Sequence, residues 1–151
     1  MGGAVADLSV DYRVRSTARN GLYSWAVQNG VPALLIERGG QGQWSQQEVD
    51  ACKADVRSLM GYLGILPGYE VNLAQKEIVE AHYVESETCG FWYPLATKNQ
   101  AVRKGDVLGY LESLTGERLR AIRAKFDGIV LYHTTALGVH AGEALIAYGH
   151  T

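Results

Sequence analysis

Two stretches in the second half of the chain carry one pattern twice, in the same order. Gly90-Phe-Trp-Tyr-Pro-Leu precedes Val102-Arg-Lys-Gly-Asp-Val-Leu-Gly, and Gly128-Ile-Val-Leu-Tyr precedes Val139-His-Ala-Gly-Glu-Ala-Leu-Ile. Each copy reads as a strand, a glycine turn and a further strand. One such unit cannot bury its apolar face alone, but two can close over a common core with approximate two-fold symmetry. The pattern therefore predicts a small all-β sandwich with strands over Glu77–Val84, Phe91–Leu95, Asp106–Glu112, Leu119–Ala124, Gly128–His133 and Ala144–Tyr148. The 18 glycines against 3 prolines among 151 residues fit many tight turns between ordered elements.

The first half has a different character. Ser9–Val14 alternates as a short strand, and Leu22–Asn29 fits a short helix stopped by Asn29-Gly30. Val31–Ile36 is a compact apolar run of the kind that forms a strand buried on both faces of an α/β sheet. It ends at Glu37, before Gly39, Gly40 and Gly42. Ser45-Gln-Gln-Glu48 is a capping box, in which each side chain satisfies an orphan N–H of the other's turn. Val49, Cys52, Val56, Leu59, Met60 and Leu63 then recur at helical spacing, and Gly64 and Pro67-Gly68 end the helix, predicted over 45–63. A boundary near 66–70 divides the chain into 1–68 and 69–151.

Charge and cysteine content exclude several classes. Residues 1–68 carry six basic and six acidic side chains, and 69–151 eight and ten. That balance argues against a nucleic-acid binder or a polybasic membrane anchor. No apolar run approaches the ~18 residues of a membrane helix, and the N-terminus has no secretory pattern, so a cytoplasmic protein is expected. Cys52 and Cys89 form no disulfide or zinc-knuckle framework. Gly40-x-Gly42-x-x-Ser45 misses the third glycine of a dinucleotide fingerprint, and Glu37 would repel a pyrophosphate. Gly39-Gly40-Gln41 spells the release-factor tripeptide without the basic body that its use requires. Arg118, Arg120, Arg123 and Lys125 read as a solvated strand face. Trp25, Trp44 and Trp92 read as packing residues.

The second half resembles lipoyl/biotinyl-type barrel-sandwich domains, with Lys125-Phe-Asp-Gly-Ile-Val as a further point of similarity. Those domains display a modifiable Lys at a hairpin tip. Here the turn Glu112-Ser-Leu-Thr-Gly-Glu117 has none, which leaves a swinging arm no attachment atom.

A wider resemblance covers about residues 20–149. Gly30-Val-Pro-Ala-Leu-Leu-Ile-Glu-Arg-Gly-Gly, the following helix, Gly90-Phe-Trp, Val102-Arg-Lys-Gly-Asp-Val-Leu-Gly and Ala124-Lys-Phe-Asp-Gly-Ile-Val are similar, in order, to the C-terminal portion of the succinylglutamate desuccinylase/aspartoacylase family. These are zinc carboxypeptidase-like amidohydrolases. The resemblance implies the end of an α/β domain, with its strand–helix units, followed by a small all-β barrel-sandwich domain. It implies hydrolysis of N-acyl amino acids. It places Glu37 at the catalytic glutamate, the base that activates a zinc-bound water and then protonates the leaving amine. The position is chemically apt, because open α/β sheets place ligands at strand C-termini.

The family's zinc ligands are a His-x-x-Glu pair and a later His, all before that glutamate. No His or Cys precedes Glu37, and His82, His133, His140 and His150 all lie in the β half, after that glutamate. A catalytic zinc needs three protein ligands. The chain alone is therefore expected to hold no zinc or other cofactor and to be inactive. Arg13, Arg15 and Arg19 are candidates for a substrate carboxylate, with a structural role as the alternative. A second functional reading is a non-catalytic module that oligomerises or docks to a partner chain supplying the metal half.

Overall fold

The computed structural model describes residues 12–14, 21–40, 42–69 and 75–150. The chain falls into two compact units, one up to Lys76 and one from Glu77. Among the described residues it is a mixed α/β protein with two helices, two four-stranded antiparallel sheets and a two-stranded sheet.

The first unit contains β1 (Tyr12–Val14), α1 (Leu22–Gln28) and α2 (Gln46–Tyr62). Both helices end as predicted, in Schellman motifs. After α1, Val31 N–H donates to Ala26 C=O and Gly30 N–H to Val27 C=O, both over 3.0 Å. After α2, Ile65 N–H donates to Met60 C=O over 2.8 Å and Gly64 N–H to Gly61 C=O over 2.9 Å. At the start of α2, Ser45 Oγ accepts from Glu48 N–H over 3.2 Å. The return half of the capping box is not formed. The Glu48 carboxylate lies 3.9 Å from Arg38 Nη1 instead, because a guanidinium is a stronger partner than a peptide N–H.

Three sequence expectations fail in this unit. Val31–Ile36 is extended but forms no strand among the described residues, and Val31 and Leu35 are exposed. A strand buried on both faces needs neighbouring strands, and the described residues of this unit supply none to it. The apolar stripe of α2 is not buried either: Cys52, Val56 and Leu63 are exposed, while Asp55 and Gly61 are its buried residues. Trp25 and Trp44 are 64% and 78% exposed and so are not packing residues.

The second unit begins at the edge of β2 (Lys76–Ile78) and continues with β3 (Glu80–Glu85), β4 (Gly90–Pro94), β5 (Ala101–Val102), β6 (Val107–Glu112), β7 (Arg118–Arg123), β8 (Gly128–His133), β9 (Gly138–Val139) and β10 (Ala144–His150). The two open sheets have the orders β3-β10-β8-β5 and β7-β6-β4-β9. They share one core, in which Trp92, Leu108 and Leu111 meet Val130, Leu145, Ile146 and Tyr148.

The repeat read from the sequence is present in the pairing. Replacing β4, β5, β6 and β7 by β8, β9, β10 and β3 turns one sheet order into the other. Val102 pairs with Gly128, and its counterpart Val139 pairs with Gly90. The repeated turns match atom for atom. Asp106 Oδ2 accepts from Arg103 N–H and Glu143 Oε2 from His140 N–H, both over 2.8 Å. Gly105 and Gly142 take φ of 95° and 86°, which only glycine adopts without strain. Gly105 and Asp106 exchange backbone hydrogen bonds with Ala124, as Gly142 and Glu143 do with Ser86. Ser86 and Ala124 are thus two-fold counterparts.

Candidate functional site

Glu37 sits where the extended segment after α1 enters the glycine turn before α2. Side chains alternate along an extended backbone, so neighbouring residues face opposite ways. The structure uses that alternation. Arg38 turns inward, and its Nε donates to Asp55 Oδ2 of α2 over 2.5 Å. The Arg38 side chain is 15% exposed and that of Asp55 2%. The hydrogen bond to Asp55 holds the guanidinium pKa above its ordinary value, against the opposing effect of burial. Glu37 turns outward and is exposed, and among the described residues no hydrogen bond or ion pair engages its carboxylate.

The turn that follows is short. Gly40 and Gln43 form a bridge, Gln43 N–H donates to Gly40 C=O over 3.1 Å, and Gly39 and Gly42 have φ of 69° and 65°. The Ser45 cap then starts α2. A buried ion pair on one side and a capped helix on the other fix the backbone around an exposed carboxylate. Such an arrangement suits a general base.

The other site candidates are described within their own units. His82, His133, His140 and His150 all belong to the β unit. His82 stands edge-on to Tyr148, with ring centroids 5.6 Å apart, and His150 edge-on to Phe126 at 5.2 Å. His133 Nδ1 lies 3.0 Å from Thr134 C=O. His140 is exposed and pairs with Glu143 at 3.3 Å. Among the described residues, no group of three His, Cys, Asp or Glu side chains is placed to hold a metal ion. The side chain of Arg13, in β1, and all of Arg15 and Arg19 lie outside the described residues. Cys52 and Cys89 are free and exposed. Arg118, Arg120, Arg123 and Lys125 are exposed as expected, but not idle: Arg118 lies over the Tyr110 ring at 3.9 Å, Arg120 pairs with Glu87, and Arg123 Nη1 donates to Gly105 C=O over 2.9 Å.

Sequence reading missed Asp55. It falls three residues after Cys52, next to the apolar stripe at helical spacing, and a lone Asp there looks like a solvated helix residue. The available signal was Arg38, a cation directly after an outward carboxylate and therefore on the inward side of an extended chain.

This fold is the one found in solved structures of the succinylglutamate desuccinylase/aspartoacylase group, as the ordered motifs had implied. The chain is similar to the product-bound ectoine utilization protein EutE (DoeB) of Ruegeria pomeroyi, with a TM-score of 0.80 and 25% identity over 93% of this chain and 45% of that one. It is similar to a succinylglutamate desuccinylase of Silicibacter, with a TM-score of 0.76 and 19% identity over 95% of this chain and 46% of that one. For a succinylglutamate desuccinylase/aspartoacylase of Rhodobacter sphaeroides the TM-score is 0.74 and the identity 21%, over 93% and 45%. The chain thus spans less than half the length of the solved chains it matches. No sequence-family profile matches it, and no curated protein does. Among the described residues, no helix is long and apolar enough to cross a membrane.

Proposed function

We propose that the chain is the C-terminal portion of a cytoplasmic amidohydrolase of the aspartoacylase/succinylglutamate desuccinylase type, acting on N-acyl amino acids, with Glu37 as its proton-transfer residue and its β unit a barrel-sandwich domain. The observation that carries this reading is the outward, unpaired Glu37 beside the buried Arg38–Asp55 pair, within a fold shared with that group. In this role Glu37 takes a proton from the attacking water and gives it to the leaving nitrogen. Zinc serves the family, but the described residues do not fit it, and the role of this chain stops at proton transfer. The test is zinc content and turnover of N-acyl amino acids by the purified chain. Substoichiometric zinc and no hydrolysis are expected. Stoichiometric zinc with hydrolysis abolished in Glu37→Gln would show that the chain is complete as an enzyme.

A second reading, a non-catalytic assembly module, is favoured by the exposed apolar side chains of the first unit, among them Leu22, Trp25, Val31, Leu35 and Trp44. A soluble surface rarely leaves so much unpartnered apolar area. Light scattering tests it: a monomer at all concentrations, with no added partner chain bound, would contradict assembly.

A further inference from the structure

Within the β unit, the edge strands β3 and β7 line one groove of about 370 Å³. Because Ser86 and Ala124 are two-fold counterparts, so are the groove walls. His82 corresponds to Arg120, Glu85 to Arg123, and Glu87 to Lys125, and all six line the groove. The internal symmetry is broken in charge. At one end Arg120 and Glu87 form an ion pair. The two-fold-related position holds His82 and Lys125, two groups that are both cationic when protonated.

No ion pair is formed at that second end among the described residues. Lys125 has no ion-pair partner among the described residues; only its backbone N–H is engaged, donating to Tyr148 Oη over 2.7 Å. His82 rests against the rings of Tyr148 and Phe126, with centroids 5.6 and 6.4 Å away. Burial and the charge of Lys125 lower its pKa, and Glu80 opposes them. Glu85 and Arg123 face the groove between the two ends.

We propose that this groove is a binding site for carboxylate ligands, in which a carboxylate seats against Lys125 and His82 and takes the place that Glu87 occupies beside Arg120 at the other end. The groove volume admits a small dicarboxylate or an acidic side chain of a peptide. Seating such a group lets His82 take up a proton and forms a charge-assisted triad with Lys125.

The probe is glutarate, with the uncharged glutaramide as control, followed by the His82 ring signals in NMR across pH. The expected result is a saturable shift with a dissociation constant on the order of 1 mM and a His82 pKa that rises on binding. Lys125→Gln is expected to weaken binding about tenfold, equivalent to one unit of the lost protonation coupling. The amide spectrum of the β unit is the folding control, and Lys125 is exposed, so this variant keeps its core. No saturable shift with glutarate, an equal shift with glutaramide, or undiminished binding in Lys125→Gln would overturn the proposal.

Discussion

Removing Asp55 is the sharpest perturbation of the Glu37 region. Its carboxylate is 2% exposed and meets Arg38 Nε at 2.5 Å, and the guanidinium is 15% exposed. Replacing one partner of a buried ion pair costs about 3–5 kcal/mol. Glu48, 3.9 Å from Arg38 Nη1, offers partial relief, so Asp55→Ala is expected near the lower figure, about 3 kcal/mol. Among the described residues, none of the buried apolar core residues belongs to the first unit, so this loss falls on described elements with little apolar reserve. A loss of ~3 kcal/mol is about a hundredfold in an opening equilibrium. The assay is hydrogen exchange. Amides of α2 are expected to lose about two decades of protection, while strands β4, β6, β8 and β10 keep theirs. Asp55→Asn retains an acceptor and is expected to lose about half as much. The pair variant Arg38→Met with Asp55→Leu is expected to recover most of the protection, since apolar replacement of both partners removes the uncompensated charge. Unchanged α2 exchange in Asp55→Ala would refute the view that this ion pair holds the Glu37 turn to the helix.

Other outcomes follow from the same geometry. A Cβ at Gly109 would strike the Trp92 ring and stand 2.7 Å from Tyr93 C=O, so Gly109→Ala should cost about 1–3 kcal/mol by overpacking, read in the melting of the β unit. Glu37→Gln removes an exposed carboxylate without a partner and should leave stability within about 0.5 kcal/mol, measured by urea unfolding. His82 has its folded pKa below the ordinary 6.5, so the unfolded chain binds its proton first and the β unit should lose stability as pH falls through and below 6.5. His82→Gln should flatten that part of the stability–pH profile. Glu143 has its pKa lowered chiefly by the His140 N–H, so its contribution is present above the ordinary carboxylate pKa and lost on acidification; Glu143→Gln should remove that acid-dependent part.

The β unit was legible in the sequence because its turns state their own requirements. Gly105 and Gly142 must take positive φ, and Asp106 and Glu143 each cap their turn from the same offset. Those local rules repeat, so the sheet order follows from them. The helices were legible for the same reason, through Ser45, Gly30 and Gly64. Val31–Ile36 misled because an apolar run carries only the demand for burial, and burial depends on neighbours that no local pattern specifies. The stripe on α2 misled likewise: Val56 and Leu63 are periodic, yet the buried position is Asp55, chosen by Arg38 seventeen residues earlier. The groove between β3 and β7 was invisible in the sequence, because only the two-fold relation of Ser86 and Ala124 shows that Lys125 stands where Glu87 stands in the other copy.

The central claim, that Glu37 is the proton-transfer residue of an amidohydrolase fold, is tested most directly by a hybrid enzyme. In it, this chain replaces the matched region of the Silicibacter succinylglutamate desuccinylase, and succinylglutamate hydrolysis is measured with Glu37 and with Glu37→Gln at equal folded protein. The account predicts hydrolysis with Glu37 and a loss of about 10²–10⁴-fold in kcat with Gln. Equal rates for the two hybrids would contradict it.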